Sequence, residues 1–312
     1  MGARPGDLTG APRRRRRPTR GQLATRRLIA LLLLAGGIAL LVWLGTLAYG
    51  AIGGDDNAEQ RQTPVATAPA RPLRIIFPEG FTREEMAQRI TAVDGIAREK
   101  RHVDPRLSAG GYLAATASSK LPGRFAGDGK RRMLEGFLFP ATYDFTVTTR
   151  SRRLVREQLA AFERNWDSVN LRYAHSKNLT RYDVLIIASM IEKEVIAPSE
   201  RRLVAAVIYN RLHNRMRLQI DAALRYGLHI PPARPIRESE LRSSNPYNTS
   251  THYGLPPTPI ANPGLASIRA AAHPASVDYL YFVRKPDHVH HFFTNSLDEF
   301  NAYIAEHPVK GA

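Results

Sequence analysis

The pattern of hydrophobic and polar positions separates one long uncharged segment from a series of short elements. Residues 28–52 carry no charged side chain and include nine leucines, three isoleucines and one valine. A helix needs about 20 apolar residues to cross the hydrocarbon core of a bilayer. The pattern therefore predicts a single transmembrane helix at 28–52, followed by a linker at 53–72 that is rich in Ala, Pro and Thr.

Strand-like and helix-like patterns alternate after the linker. Leu73–Phe77 is typical of a short strand, and Thr82 with Glu85 predicts a capping box that opens an amphipathic helix. The segment 183–191 is apolar almost all round, which predicts a central buried helix. Further helices are expected at 152–166 and 199–212, a polar surface loop at 118–132 and a hairpin formed by 279–283 and 291–293.

Two later segments bear on the site. Residues 216–221 alternate between apolar and polar side chains, which predicts a strand with Gln219 and Asp221 on one face. Residues 245–264 contain five prolines, and a loop of this length and stiffness is typical of a binding or lid element. The whole pattern predicts an α+β fold.

Charge indicates how the chain is oriented. The formal net charge is +17, and nine arginines lie within residues 1–27. Positive charge flanking a membrane helix favours the cytoplasmic side, so we expect a cytoplasmic Arg-rich tail at 1–27 and an extracytoplasmic domain after residue 52 of a cell-membrane protein. The tail lacks any recognisable nucleic-acid-reading module, so we expect no nucleic acid partner. The absence of cysteine excludes disulfides, thiolate metal sites and a thiol nucleophile.

Glu192 is the candidate catalytic residue. It follows the apolar segment 183–191 and lies three residues after Ser189, so the two share one helix face. Burial disfavours the charged form of a carboxyl, and a general acid needs that property near neutral pH. The alternative is an ordinary solvated glutamate paired with Lys193 or Arg201, which composition alone favours.

Other polar side chains in the same half of the chain are candidates for binding an N-acetylated sugar chain, although those in the long loop are equally consistent with ordinary turn chemistry. These candidate substrate-binding residues are Ser189, Asn210, Gln219, Asp221, Tyr247, Asn248 and Thr249. His288, His290 and His291 lack the helical spacing of a zinc protease, so we expect neither a metal nor another cofactor.

Several long motifs resemble the endolytic murein transglycosylase (YceG-like) family. They are LEGFLFPATYDF (134–145), ASMIEKE (188–194), ERRLVAAVIYNRL (200–212), MRLQIDAALRYGL (216–228), NPYNTSTHYGLPPTPIANPGLASIRAAAHP (245–274), YLYFV (279–283) and HHFFTN (290–295). The resemblance implies that the catalytic glutamate lies in the ASMIEKE motif, where we assign it to Glu192. It also implies that the substrate-binding site is lined by residues at other motif positions, namely Gln219, Asp221, Tyr247, Asn248, Thr249 and His291. Ala222 stands where the family often has proline, and Phe300 where it commonly has histidine.

The resemblance implies a LysM-like module at 73–117 and a catalytic domain at 118–312. It implies a lytic transglycosylase, a lyase that cuts peptidoglycan glycan strands and leaves 1,6-anhydro-N-acetylmuramic acid ends. Peptidoglycan synthases or division proteins are the expected kinds of protein partner. Two alternatives stay open: a muramidase-type hydrolase with Asp221 as its second carboxylate, and a non-catalytic glycan-binding division scaffold.

Overall fold

The computed structural model describes residues 72–128 and 131–308. The expected transmembrane helix at 28–52, with the tail before it and nearly all of the linker after it, lies outside the described residues. Among the helices that the structure does describe, none combines the length and the apolar character needed to span a bilayer.

The described residues form a mixed α+β fold, as the sequence predicts, with three two-stranded antiparallel sheets. The strands are β1 (Leu73–Ile76), β2 (Ser119–Lys120), β3 (Arg131–Arg132), β4 (Thr142–Phe145), β5 (Tyr281–Arg284) and β6 (His291–Thr294). The helices are α1 (Arg83–Arg101), α2 (Ala109–Ala117), α3 (Ser151–Trp166), α4 (Arg172–Ser176), α5 (Arg181–Glu194), α6 (Arg201–His213), α7 (Asp221–Gly227), α8 (Glu238–Leu241), α9 (Leu265–Ala272) and α10 (Leu297–Glu306).

The first strand finds its partner far along the chain. β1 pairs with β4, so that Leu73 lies opposite Phe145. Between them α1 begins at the predicted capping box, in which Thr82 and Glu85 each accept a hydrogen bond from the other's backbone N–H. Because β4 follows residue 117, the sheet joins residues on both sides of the domain boundary expected there. The unit that contains β1, α1 and α2 closes only at residue 145.

Helix α5 is the centre of the hydrophobic core. Every residue from Val184 to Ile191 is buried, and the helix packs against α6 and α9. Its apolar sequence explains this position, since a helix that is apolar all round must be enclosed by protein. The helix ends at Glu194, and its last turn carries Glu192 and Glu194, both half-buried.

Residues 216–220 do not form the expected strand. The buried guanidinium of Arg211 donates to the backbone oxygens of Arg217 and Leu218, at 3.2 and 2.8 Å. These carbonyl groups are therefore used by a side chain rather than by a neighbouring strand. Asp221 instead begins α7, and Gln219 has a left-handed backbone with φ 53°, so the two do not share a strand face.

Two other expectations need adjustment. The segment 118–132 is not only loop, because it contains β2, β3 and a 3₁₀ turn at Gly123–Asp128. The predicted antiparallel hairpin is confirmed, with Arg284 opposite His291. Its first strand begins at Tyr281 and is half-buried rather than buried, because this sheet has only two strands.

Candidate active site

The last residue of α5, Glu194, faces the start of α7. Burial raises the pKa of Glu194 to about 7, and the nearby charge of Asp221 adds to the rise, while Arg284 and the backbone N–H of Ala222 oppose it. Arg284 also donates to the backbone oxygen of Glu194 at 3.4 Å. A carboxyl with a pKa near neutrality can deliver a proton to a leaving group and then accept one.

Two polar side chains, those of Asp221 and Gln219, lie at the start of α7 or just before it. Loss of hydration raises the pKa of Asp221, and Arg225 opposes that rise. Gln219 is exposed, and its Oε1 accepts a hydrogen bond from Nη1 of Arg211 at 3.1 Å. A left-handed backbone is uncommon for a residue other than glycine, and such strain is concentrated at functional sites. The start of α7 thus gives Glu194 a neighbouring carboxyl, and the Gln219 amide lies two residues before that carboxyl along the chain.

Glu192 lies in a different environment. Its Oε2 accepts a hydrogen bond at 2.9 Å from the backbone N–H of Gly264, the residue that caps α9. A Cβ at position 264 would overlap the carboxylate of Glu79 as it is placed, so a larger residue there would require the Glu79 side chain to move. Burial and the charge of Glu192 raise the pKa of Glu79, while Arg201 lowers it. Glu192 and Glu79 are therefore neighbouring carboxylates at the start of α9.

Ser189 and Thr249, both expected to bind substrate, are buried and hold the long loop in place. The Ser189 hydroxyl donates to the backbone oxygen of Ile186 at 2.7 Å and accepts from the backbone N–H of Ile260 at 3.0 Å. The Thr249 hydroxyl accepts from the backbone N–H of Ile220 at 2.8 Å. Their polar atoms are thus committed to the protein's own backbone.

Asn248 and Tyr247 are also occupied by the loop itself. The amide of Asn248 is completely buried and donates to the backbone oxygens of Leu241 and Ser243, at 2.9 and 2.8 Å. The hydroxyl of Tyr247 is 2.7 Å from that of Thr258. In this geometry the amide nitrogen of Asn248 is bonded to the loop's own backbone, and its role in binding a sugar stays a prediction.

Asn210 and His291 each connect two elements of the fold. Asn210 donates to the backbone oxygens of Val277 and Tyr279, at 3.0 and 2.9 Å, and so joins α6 to the segment before β5. The buried His291 places Nδ1 2.7 Å from Oε2 of Glu200, whose other oxygen accepts from the His291 backbone N–H at 3.0 Å. This pair fixes β6 to the start of α6.

The histidines of the hairpin have separate partners. His290 pairs with Asp287, with Nδ1 2.9 Å from the carboxylate, and His291 pairs with Glu200. His288 lies in the turn with φ 59°. Within residues 72–128 and 131–308, no three His, Asp or Glu side chains are grouped so that they could hold a metal ion.

Neither Glu194 nor Arg284 was identified as a site residue from the sequence. Glu194 lies in the same ASMIEKE motif, but Glu192 was assigned as the acid because it shares a helix face with Ser189. Two of the groups that shift the pKa of Glu194, the Asp221 carboxyl and the Ala222 N–H, belong to α7, an element that the sequence pattern did not predict. The sequence held one local signal for Glu194: it is the second of two glutamates, two residues apart, at the end of an apolar helix.

The sequence profile of the YceG-like family matches residues 56–306 of this chain. An endolytic murein transglycosylase from Streptococcus pneumoniae (strain ATCC BAA-255 / R6) is 31% identical over 275 residues, which cover 81% of this chain and 48% of that protein. One from Bacillus subtilis (strain 168) is 35% identical over 168 residues, which cover 54% of this chain and 46% of that protein. The chain thus spans about half the length of the curated relatives it matches.

A solved structure agrees with the family match. The crystal structure of a YceG-like protein from Listeria monocytogenes aligns with this chain at a TM-score of 0.57 and 28% sequence identity. The alignment covers 74% of this chain and 76% of that one. The resemblance predicted from the motifs is confirmed by these matches: the chain belongs to the YceG-like family.

Proposed function

We propose that this chain is a peptidoglycan lytic transglycosylase, which cuts glycan strands internally between N-acetylmuramic acid and N-acetylglucosamine without consuming water. The single observation that carries the proposal is the Glu194 carboxyl, whose pKa is about 7 at the end of a buried helix beside Asp221. The curated relatives support it, because they are named endolytic murein transglycosylases.

The reaction needs one carboxyl that acts twice. Protonated Glu194 gives its proton to the glycosidic oxygen, and the bond to C1 of the muramic acid breaks with oxocarbenium character. The resulting carboxylate takes the proton from the C6 hydroxyl of the same sugar, and that oxygen bonds to C1. An intramolecular nucleophile has a high effective concentration, so one carboxyl suffices where hydrolases use two. The product ends in 1,6-anhydro-muramic acid.

The neighbours of Glu194 suit these two steps. Burial and Asp221 favour its protonated form before the bond breaks, whereas Arg284 and the Ala222 N–H favour the carboxylate formed afterwards. We assign to the exposed amide of Gln219 the role of binding an N-acetyl group of the substrate.

Glu192, the residue assigned from the sequence, remains the competing candidate for the acid. Its carboxylate is bound by the Gly264 N–H and lies beside Glu79. Glu194 also holds a backbone N–H at a helix start, that of Ala222, but burial raises its pKa to about 7, which is the property that a general acid needs. We therefore favour Glu194, and the two glutamates make a matched pair for mutagenesis.

The test compares Glu194→Gln and Glu192→Gln on purified sacculi, with the products analysed by mass spectrometry. Glutamine keeps the shape of the side chain and removes its proton, so Glu194→Gln should lower the rate at least about 100-fold, the usual contribution of general acid catalysis. Glu192→Gln should retain substantial activity. The opposite result would return the catalytic role to Glu192, and full activity in both variants would exclude the site.

A muramidase-type hydrolase is the second candidate, favoured by the interaction between the Glu194 and Asp221 carboxyls. Hydrolases of this kind use two carboxyls, one of which activates water or attacks the sugar. The same digest distinguishes the reactions, since hydrolysis leaves reducing ends and products one water heavier. A protein that binds sacculi but releases nothing would be a non-catalytic glycan-binding scaffold.

We further propose that residues 28–52 anchor the chain in the cell membrane, with 1–27 in the cytoplasm and the YceG-like domain outside. The support is the uncharged segment and the arginines before it. A reporter enzyme fused after residue 60 should be active only outside the cytoplasm. A LysM-like role for residues 73–117, and peptidoglycan synthases or division proteins as partners, belong to the same proposal.

A further inference from the structure

An open cavity of about 440 Å³ lies where the end of α6 meets the long loop 245–264. It is lined by Leu212, Arg215, Met216, Tyr253 and Gly254. The reaction proposed above uses none of these residues, so the cavity requires its own explanation.

Tyr253 is the most conspicuous residue of this cavity. Its side chain is 67% exposed, which is high for a large aromatic residue. The guanidinium carbon of Arg217 lies 5.0 Å from the ring centroid. Gly254 follows with a left-handed φ of 85°, and a Cβ placed there would meet nothing within 4 Å. The ring therefore borders open space, with a cation on one face and most of its surface in water.

The charge at this place is positive and uncompensated. Arg215 and Arg217 are both exposed, and no carboxylate among the described residues forms an ion pair with either of them. A guanidinium beside an aromatic ring suits a ligand that carries a carboxylate next to a sugar or apolar group, because arginine binds carboxylates in a two-pronged geometry.

The segment that carries Arg217 also carries Gln219, the residue proposed above to bind an N-acetyl group of the substrate. Nη1 of Arg211 binds the backbone oxygen of Arg217 and, at 3.1 Å, the side chain of Gln219. The backbone N–H of Gln219 donates to Thr249, so the segment is also tied to the long loop. Two residues of chain span at most about 7 Å, so the backbones of Arg217 and Gln219 are within that distance of each other.

We propose that Arg217, Arg215 and Tyr253 form a subsite for the carboxylate-bearing peptide attached to the muramic acid of the substrate strand. This inference rests on the proposed function, since it names a second part of the same substrate. The muramic acid carries its peptide through a lactyl group, so the peptide's carboxylates extend sideways from the sugar chain. A strand held at Gln219 would place them beside the two arginines.

The experiment measures the affinity of the full-length chain for two soluble probes, glycan strands with their peptides and the same strands stripped of peptides by an amidase. Fluorescence anisotropy on ice gives both dissociation constants. The wild type should bind the peptide-bearing strands about tenfold more tightly, the value of one hydrogen bond to a charged group. The preference should fall as salt rises, because the arginines are exposed.

Three variants complete the test. Arg217→Gln and Tyr253→Ala should bring the ratio of the two dissociation constants towards one. Arg172→Gln is the matched control, an exposed arginine outside the cavity, and should keep the ratio. A wild-type ratio near one, or an unchanged ratio in Arg217→Gln, would overturn the subsite. The same samples, warmed and analysed for anhydro ends, test the proposed function separately, since binding does not depend on cleavage.

Discussion

Glu192 and Glu194 lie two residues apart in the last turn of α5, where each residue advances about 100° around the helix axis. Their side chains therefore leave the helix in nearly opposite directions. One meets Gly264 and Glu79 at the start of α9, and the other meets the start of α7. A single short motif thus supplies a carboxylate that fixes the fold and a carboxyl suited to proton transfer.

The backbone N–H of Ala222 provides a test of the Glu194 environment. This N–H lowers the pKa of Glu194, and proline, which the family often has at this position, lacks it. Proline is tolerated in the first turn of a helix, so Ala222→Pro should fold. The pKa of Glu194 should rise, and the alkaline limb of the pH profile of kcat/KM should move up by roughly half a unit or more.

Ala222→Gly is the matched control, because glycine keeps the N–H. Its alkaline limb should coincide with that of the wild type. If the proline variant shows no upward shift, the limb reports a group other than Glu194.

At the scale of the elements, the site depends on how the long loop is attached to α5. The Ser189 hydroxyl, completely buried in the helix, satisfies the backbone N–H of Ile260. Two residues later in the loop, Asn262 binds the backbone N–H of Leu138 through its side chain. The loop thus has fixed bonds to the helix and to the apolar run before β4, which explains how a segment without regular structure keeps one conformation.

Removing the Ser189 hydroxyl should weaken the fold rather than the chemistry. In Ser189→Ala the N–H of Ile260 would be buried without a partner, at a cost of about 1–3 kcal/mol in the free energy of unfolding. Urea unfolding measures this loss, with Ser199→Ala, an exposed serine, as the control. The folded variant should keep its KM. A large rise in KM at unchanged stability would restore the substrate-binding role predicted for Ser189.

Elements with a local signal could be predicted from the sequence. The capping box at Thr82 and the apolar run of α5 depend on neighbours within a few residues, and both are where the sequence places them. The conformation of the segment 216–221 could not be predicted, because the buried arginine that binds its carbonyl groups, Arg211, lies outside the segment. No pattern within the segment distinguishes that arrangement from a strand.

The same limit applied to the site. The sequence identified the motif that carries both glutamates, but the choice between them depends on α7 and α9, which approach α5 from opposite sides. Asn248 and Thr249 were recognised as polar loop residues, yet their partners are backbone groups that only the folded chain brings near. The local sequence pattern indicates whether a residue is polar or apolar, whereas its contacts depend on packing between segments that are distant in sequence.

At the scale of the whole molecule, one buried carboxyl joins segments that are far apart in sequence. Glu135 accepts hydrogen bonds from the backbone N–H of Arg83 at 3.2 and 3.1 Å, from Nδ2 of Asn262 at 2.8 Å and from the hydroxyl of Tyr226 at 3.3 Å. It thereby connects the start of α1, the long loop and α7. The Glu135 carboxyl thus helps to hold α1 against the proposed catalytic region.

Glu135 should make the stability of the described fold depend on pH. Burial raises its pKa to about 8 from an ordinary value of 4.5. Between these values the folded protein keeps the proton and the unfolded chain releases it, so this carboxyl's contribution to the free energy of unfolding falls as pH rises. Glutamine cannot ionise. From pH 5 to pH 7 the difference in unfolding free energy should therefore change by about 2 kcal/mol in favour of Glu135→Gln, whatever its value at pH 5.

Denaturant unfolding at several pH values measures the change, with Glu306→Gln, an exposed residue of α10, as the control. Parallel curves for the wild type and Glu135→Gln would mean that Glu135 is already ionised in the folded protein and that its three hydrogen-bonding partners fully offset the cost of burying the charge.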